Sequence, residues 1–382
     1  MKILFLTYHG FDPGSGISKK MLAQIKGLEQ NGHEVHVCSY AVESNGDKCR
    51  YIDNTIIQNF GRSKWASIKH RYDFSSVIHY CKENNIEMVY ARSYMNASPC
   101  VVKFFKELNK CGIQSVIEIP TFPYDQELSM LPLEHKMRLF IDKLFRKQLA
   151  KQTNAIVTFS DEKSIFGQST INISNGIDMD IIPIHKTVDY SKELHIIAVA
   201  EVHPWHGYDR FIEGLGIYFQ NNMENKYLVY FHIVGDVWDS EMYGTKYAPG
   251  FKTIIKKYSI EKYVFFHGKL FGEELNKVFD ICSFAVGSLA RHRSGIRSLK
   301  TLKNREYACR GIPFIYSEQD SDFDGQPFVL KASPDESPID ICRITKFMSL
   351  FTLRPEEIRK TVEHLSWKNQ MGIVIKSITK TT

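Results

Sequence analysis

The residues best suited to binding and catalysis lie between Gly287 and Pro313, where lysines and arginines surround a single acid, Glu306. Lys303 and Glu306 are three residues apart, so a helix places both on one face, just after a predicted strand. A lysine at a helix start can bind phosphate, and a carboxylate can accept hydrogen bonds from paired sugar hydroxyls. A basic run is usually a solvated helix face, but its position at a sheet's carboxyl edge favours a binding site.

A second loop, residues 200–210, combines two histidines, a tryptophan and a glycine with the start of a predicted helix. His206 and Arg210 are four residues apart, so both can lie on one side of the helix start and face an anion. The alternative interpretation is a solvated helix start without a ligand.

A third loop, which contains Gly14, Ser15 and Gly16, joins the first predicted strand to the first helix. Glycines let the backbone approach a ligand closely, and the free amides of a helix start attract anions. The spacing lacks the third glycine of the dinucleotide-binding fingerprint, and an ordinary strand-to-helix turn is the alternative.

Length and composition restrict the class of protein. The chain has 382 residues, which indicates two domains at about 100–200 residues each. Its 43% hydrophobic and 24% charged residues exclude collagen and long disorder. A net charge of +6 does not predict nucleic-acid binding, and eight scattered cysteines without a Cys-x-x-Cys pair argue against zinc or a disulfide framework. Without a bilayer-length apolar run or a signal peptide, we expect a cytoplasmic protein.

The elements that must position these loops follow from the hydrophobic pattern. Short apolar strands alternate with amphipathic helices from residue 2 onwards, and the same alternation restarts at 195–200 after an irregular stretch near Pro183. This predicts an α/β protein with two Rossmann-like, doubly wound parallel sheets facing a cleft, in domains 1–182 and 183–365. Ligands of such sheets bind at the carboxyl ends of the strands.

Four short motifs, taken together and in this order, resemble glycosyltransferase family 4, and the resemblance runs over nearly the whole chain. They lie at residues 14–17, 32–37, 174–178 and 306–313. The resemblance implies the GT-B fold, a retaining mechanism and a nucleotide-sugar donor. It also implies a C-terminal helix, within 366–382, that packs back on the N-terminal domain. Residues 118–125, 205–210 and 302–307 resemble a bacterial branch that serves surface-polysaccharide synthesis.

Carried over position by position, the resemblance gives Glu306 the place of the second glutamate in the family's Glu-seven-Glu signature, which holds the donor ribose. The first glutamate falls at Ser298 and is missing. The family's diphosphate-binding Arg and Lys fall at Glu201 and His206. The expected catalytic residues are therefore Glu306, Lys303 and His206, and the expected donor-binding residues are Gly14, Ser15, Gly16, Arg210, Arg297, Lys303 and Glu306.

The implied reaction moves a sugar from a nucleotide-sugar to a glycan or lipid-linked glycan, without a cofactor. Glu118, Asp125 and Glu127 follow a strand end and are the acceptor-side candidates, with loop capping as the alternative. Three aspartates at 320, 322 and 324 lie too late in the chain for a metal-binding Asp-x-Asp, so no metal is expected. The alternative function is a noncatalytic partner that binds nucleotide or glycan and supports another transferase.

A predicted helix at residues 136–151 carries an apolar stripe flanked by basic residues. A basic amphipathic helix can lie on anionic lipid, so an anionic membrane surface is an expected partner, at the inner face of the cell membrane. The alternative is that the stripe packs on the core of the first domain. The stripe consists of Met137, Phe140, Ile141, Leu144 and Phe145.

Overall fold

The computed structural model describes residues 1–12, 15–93, 97–125, 133–221, 227–244 and 249–379. The chain divides into two compact units. The first unit contains Met1–Gly176 and Leu365–Thr382, and the second contains Ile177–His364.

The first unit is built on a nine-stranded sheet in the order β4-β3-β2-β1-β5-β6-β7-β9-β8. Its strands are β1 (Lys2–Leu6), β2 (Glu34–Val42), β3 (Lys48–Ile52), β4 (Thr55–Asn59), β5 (Met88–Arg92), β6 (Gln114–Ile119), β7 (Ala155–Thr158), β8 (Ser164–Ile165) and β9 (Gln168–Asn172). Its described helices are α1 (Gly16–Glu29), α2 (Lys64–Lys69), α3 (Ser75–Glu83), α4 (Pro99–Lys110) and α5 (Leu133–Ala150).

The sheet of the first unit is parallel at its centre, as expected, and antiparallel at its edges. The strands from β2 through β1 to β7 and β9 pair in parallel, but β3 and β4 pair antiparallel, as do β8 and β9. The turn between β3 and β4 contains Asp53 and Asn54, both with positive φ. Sequence reasoning missed β3 and β4 because edge strands with one solvated face alternate polar and apolar residues and lack a continuous apolar run.

The C-terminal helix α13 (Trp367–Thr379) belongs to the first unit and contacts α1. Trp367 is 4% exposed and lies in one core cluster with Ile3 and Phe5. At Gly176 an added Cβ would lie 2.3 Å from the Trp367 ring, so only glycine leaves room for this packing.

The second unit has a six-stranded sheet in the order β12-β11-β10-β13-β14-β15, and all of its neighbouring strands pair in parallel. The strands are β10 (Glu193–Val199), β11 (Leu228–Val234), β12 (Val264–Phe266), β13 (Phe284–Val286), β14 (Phe314–Tyr316) and β15 (Val329–Lys331). The helices are α6 (Tyr208–Asn221), α7 (Asp239–Tyr243), α8 (Phe251–Tyr258), α9 (Gly272–Ile281), α10 (Leu302–Arg310), α11 (Ile341–Ser349) and α12 (Pro355–Thr361).

Almost continuous apolar runs form the central strands of this second sheet, as expected for parallel strands that are covered on both faces. Residues of β10, β11, α6 and α8 share one large core cluster. Among the described helices, none is long and apolar enough to cross a membrane.

Candidate functional site

The candidate site lies in the second unit, where the loops after β10, β13 and β14 meet the starts of α6 and α10. The backbone N–H of Leu289 donates to the carbonyl of His206 at 2.9 Å, and the N–H of Ser317 donates to the carbonyl of Ser288 at 2.9 Å. Gly207 has φ 64°, and an added Cβ would lie 2.8 Å from the Cβ of Ala290. Glycine therefore lets these loops pack directly on one another.

This edge concentrates buried polar side-chain atoms that have no hydrogen-bond partner among the described residues. We call the residues that carry them the buried polar cluster. Native proteins leave only a few such atoms per hundred residues, because each one loses its bonds to water without replacement. Their concentration at the carboxyl edge of a parallel sheet indicates a binding site for a polar ligand. The cluster consists of Tyr208, Ser288, Thr301, Lys303, Asn304 and Glu318.

Lys303 lies in the first turn of α10. Its Nζ atom is buried, has no hydrogen-bond partner in the described part of the chain, and lies 5.9 Å from the ring centroid of Tyr208. Burial, together with repulsion from Arg291, lowers the pKa of Lys303 to about 7. An amine in this state gains its proton when an anion binds beside it.

Glu318 follows β14 by two residues and is 2% exposed. Neither of its carboxyl oxygens has a hydrogen-bond partner within the described ranges. Burial raises the pKa of Glu318 above its ordinary value, although Arg291 and Lys303 act in the opposite direction. The raised pKa favours the neutral form of the carboxyl group, in the same site in which the pKa of Lys303 is lowered.

Asn304 is fully buried beside the strand end of β13. A Cβ added at Gly287 would lie 2.6 Å from the Asn304 Oδ1 atom, so the glycine makes room for the amide. Both polar atoms of the amide, and the nearby Ser288 hydroxyl, are unpartnered among the residues described. An amide and a hydroxyl can each donate and accept, which suits a ligand with alcohol groups.

His206 is buried in the 3-10 turn that precedes α6. Its Nδ1 atom accepts a hydrogen bond of 3.0 Å from the backbone N–H of His203. Burial, followed by the charges of Lys303 and Arg291, holds the pKa of His206 well below its ordinary value. The imidazole is therefore neutral, with its remaining proton on Nε2, and can act as a hydrogen-bond donor rather than as a cation.

Arg210 does not face an anion beside His206, contrary to the sequence-based interpretation. Its guanidinium is buried and donates to the backbone carbonyls of Ser337, Leu289 and Ser333, and it pairs with Asp335 at 3.2 Å. A side chain with so many internal acceptors joins loops of the fold instead of binding a ligand.

Glu306 is half-buried one turn after Lys303 in α10. Its Oε1 atom accepts from Nε and Nη2 of Arg310 at 3.0 and 2.9 Å. Arg297 has an exposed side chain, and its carbonyl accepts from the N–H of Gln319 at 2.8 Å, so it lies next to the loop that carries Glu318.

Part of the basic run from Arg291 to Arg310 is neutralised by acids that are distant in sequence. Arg305 is buried and pairs with Asp320, at 2.7 and 3.0 Å, and with Asp322. Two of the three late aspartates thus hold an arginine. Among the described residues, no group of three or more histidines, cysteines, aspartates or glutamates could hold a metal ion.

The glycine-rich loop belongs to the first unit. Ser15 is the N-cap of α1, its Oγ atom accepts from the N–H of Ser18, and Gly16 is the first helical residue. Gly14 lies outside the described residues. The cap is the structural role expected of a serine at this position.

Glu118 is fully buried inside the first unit and not exposed at a strand end. Its Oε2 atom accepts from Tyr90 Oη and Gln24 Nε2, both at 2.5 Å, and Oε1 lies 3.3 Å from Lys20 Nζ. Asp125 is partly exposed and pairs with Arg146 at 2.6 and 3.2 Å. Glu127 lies outside the described residues.

Sequence reasoning missed five members of the buried polar cluster as ligand-binding candidates: Tyr208, Ser288, Thr301, Asn304 and Glu318. Their only signal is position, since each lies within a few residues of a predicted strand end or helix start. Polar residues at such positions are common, and burial without a partner appears only in the folded structure.

Comparisons with solved structures establish the fold. Over its full length the chain is similar to HepE from Anabaena in complex with UDP and glucose, with a TM-score of 0.58, 14% identity and coverage of 100% of both chains. It is similar to the lipopolysaccharide outer core galactosyltransferase WaaB, with a TM-score of 0.57, 14% identity and 100% coverage of both chains. It is also similar to the trehalose-6-phosphate synthase OtsA, with a TM-score of 0.61, 9% identity and 99% coverage of both chains.

The sequence itself matches no protein-family model and no curated protein. The structural similarity nevertheless defines the class of fold: two α/β units with parallel-centred sheets, the GT-B architecture of these glycosyltransferases. The predicted fold class is confirmed.

Proposed function

We propose that this chain is a glycosyltransferase that moves a sugar from a nucleotide-sugar to a glycan acceptor. The observation that carries the proposal is the buried polar cluster at the carboxyl edge of the second sheet. Its mixture of one amine, one carboxyl group, an amide and hydroxyls suits a ligand that has both a diphosphate and a sugar. The shared GT-B fold supports the same conclusion, since neighbours with this fold were solved with UDP and glucose.

Within this site, we assign the donor diphosphate to Lys303 and the ribose to Glu306. The lysine combines a buried, unpartnered amine with the N-terminal end of a nine-residue helix, where amides also attract anions. Glu306 lies one turn further, and both of its bonds to Arg310 go to a single carboxylate oxygen. The neutral ring of His206 donates from Nε2 to an oxygen of the donor.

The proposed reaction proceeds through an oxocarbenium-like transition state with retention of the anomeric configuration. The nucleoside diphosphate leaves with increasing negative charge, which Lys303 and the α10 amides stabilise. No metal ion is required in this scheme. Activity that disappears with EDTA and returns with Mn²⁺ would contradict it, and NMR of the product linkage tests retention.

The central experiment is a screen of UDP-, GDP- and dTDP-sugars by thermal shift, followed by a transfer assay with the sugars that bind. A bound ligand raises stability by RT ln(1 + [L]/Kd), so a donor appears as a raised Tm. Binding together with transfer supports the transferase. Binding without transfer or hydrolysis supports the alternative, a noncatalytic partner. No shift with any nucleotide-sugar contradicts both.

We further propose that the acceptor is lipid-linked, in surface-polysaccharide synthesis, and that α5 docks on anionic membrane. Leu133, Met137, Phe140 and Leu144 are 72%, 61%, 65% and 56% exposed, so this row of apolar side chains does not pack on the core. Ile141 and Phe145 are half-buried, and Phe145 packs on the core of the first unit, which divides the predicted stripe in two.

Exposed lysines flank this apolar row, and each Lys near an anionic surface contributes about 1 kcal/mol. Lys143 and Arg146 pair with Asp125, so Lys136 and Lys147 are the better residues to change. We expect cosedimentation with vesicles containing phosphatidylglycerol at low salt. Replacing Phe140 by Ser, or both lysines by Gln, should weaken it. Equal, negligible binding at low and high salt would remove the docking proposal.

A further inference from the structure

We propose that Glu318 holds the transferred sugar of the donor by its hydroxyl groups and thereby selects which sugar the site accepts. This inference rests on the proposed glycosyltransferase function and assigns the sugar-binding part of the same site. It concerns a residue outside both the basic run and the helix that carries Lys303 and Glu306.

The first argument is the state of the Glu318 carboxyl group. It is 2% exposed, yet both oxygens lack a hydrogen-bond partner among the described residues. A carboxyl group buried in this way loses bonds to bulk water, and a ligand that supplies donors restores them. Glu318 follows β14 at its carboxyl edge, and the preceding residue, Ser317, donates from its backbone N–H to the carbonyl of Ser288 at 2.9 Å.

The second argument concerns charge. An ionised carboxyl group repels a phosphate and a neutral one lacks a positive charge, so the diphosphate binds at the amine of Lys303 and not at Glu318. Burial raises the pKa of Glu318, which makes the group a partner for uncharged alcohols. In its protonated form it donates one hydrogen bond and still accepts, and in its ionised form it accepts from paired hydroxyls.

The third argument is the set of side chains around it. Tyr208 and Asn304 each have buried polar side-chain atoms without a partner in the described ranges, as does Ser288. Glu318 is close enough to Tyr208 to contribute to the raised pKa of that phenol, after burial and Tyr307. Hydroxyls, an amide and a carboxyl group in one buried site match a polyhydroxylated ring, whose alcohols donate and accept in turn.

The experiment measures the Kd values of UDP and of UDP-glucose and UDP-galactose for the wild-type chain and for Glu318→Gln and Glu318→Ala. The quantity compared is the ratio of Kd for UDP to Kd for the UDP-sugar, which isolates the contribution of the sugar. We expect Glu318→Ala to lower this ratio by about tenfold or more, since a charged or buried hydrogen bond is lost. The Kd of UDP itself should change by less than about twofold.

The Glu318→Gln variant has nearly the same shape and guards against a folding defect. The glutamine side chain keeps one acceptor oxygen but has an NH₂ donor in place of the second oxygen. Because glucose and galactose differ in the orientation of one hydroxyl, the variant should alter the preference between the two sugars. Glu274→Ala, at an exposed position of α9, is the matched control and should change neither ratio.

Two outcomes overturn the inference in distinguishable ways. If the wild-type chain binds UDP and UDP-sugars and the ratio is unchanged in both Glu318 variants, the role of Glu318 is wrong while the transferase proposal stands. If the wild-type chain binds no UDP, UDP-glucose or UDP-galactose, and no other nucleotide-sugar, the transferase proposal fails and the role of Glu318 fails with it.

Discussion

Among the described residues, each of the two units buries one glutamate near the carboxyl edge of its sheet, and the two glutamates differ in their partners. In the first unit, Glu118 accepts from Tyr90 and Gln24 and lies beside Lys20. Burial would raise the pKa of Glu118, but Lys20 and Arg92 with these hydrogen bonds lower it below its ordinary value. In the second unit, neither carboxyl oxygen of Glu318 has a hydrogen-bond partner among the described residues, and burial raises the pKa of Glu318.

The comparison teaches that burial alone does not identify a binding residue. A buried carboxylate that is ionised and accepts hydrogen bonds from internal partners stabilises the fold, and removing its charge takes away an ion-pair partner of a buried cation. A buried carboxyl group without partners contributes little to the fold and is available to a ligand. In the second unit, burial also lowers the pKa values of Lys303 and His206, which favours the neutral forms of both side chains.

The largest expected effect is on the stability of the first unit. Glu118→Gln removes the charge that compensates buried Lys20 and should lower the free energy of unfolding by about 3–5 kcal/mol. Hydrogen exchange of peptides from β5 and β6 would measure this loss locally. A loss below about 1 kcal/mol would break the comparison, because it would make Glu118 as dispensable to the fold as we expect Glu318 to be.

The next largest effect is on donor binding. Lys303→Met should weaken binding of a UDP-sugar by about tenfold to a hundredfold, because a charged hydrogen bond is lost. Because burial and Arg291 lower the pKa of free Lys303 to about 7, the wild-type affinity should be constant below pH 7 and fall as the pH rises above it. Lys303→Arg stays charged and should bind without this pH dependence. Equal profiles for the wild type and Lys303→Arg would contradict the assignment.

A third prediction concerns the loss of stability of the second unit at acidic pH. His195 and His232 lie on the neighbouring strands β10 and β11, and His267 directly follows β12. His195 Nδ1 lies 2.8 Å from His232 Nε2, and His232 Nδ1 lies 2.9 Å from His267 Nε2. Burial, with His195 and His267, lowers the pKa of His232 from 6.5 to about 3. As the pH falls below about 6.5 the unfolded chain therefore binds a proton that the folded chain does not, and stability falls by up to about 1.4 kcal/mol per pH unit.

Urea unfolding of the second unit at pH 7, 6 and 5 measures this slope. His232→Phe should make the slope shallower, whereas His79→Phe, at an exposed position of the first unit, should leave it unchanged. A slope unaffected by His232→Phe would show that His232 does not set the acid response.

The smallest expected effect is on the stability of the second unit. Glu318→Gln removes no hydrogen bond formed with the described residues and keeps the shape of the side chain, so the free energy of unfolding should change by less than about 1 kcal/mol. Thermal unfolding of the ligand-free variant provides the measurement. A large loss would place Glu318 with Glu118 as a structural residue.

Much of the fold could be predicted from the sequence because it depends on local periodicity. The apolar runs of β1, β10 and β11 and the register of Lys303 and Glu306 on one helix are properties of neighbouring residues. The antiparallel edge strands β3 and β4 were missed because their short, half-polar pattern also suits loops. The interpretations of Arg210 and Glu118 as ligand-facing residues were wrong about burial, which local pattern does not specify.

By itself, the sequence determined the two alternating series of strands and helices and the cationic helix start at the carboxyl edge of the second sheet. Only the tertiary structure decided which charges are neutralised and which remain available. Arg305 donates hydrogen bonds to Asp320 and Asp322, which lie on a later loop. Lys303, on the same helix, has no hydrogen-bond partner for its Nζ atom among the described residues. The physical reason is that desolvation and pairing depend on residues brought together from distant parts of the chain, and these set both the protonation state and the free hydrogen-bonding capacity of each side chain.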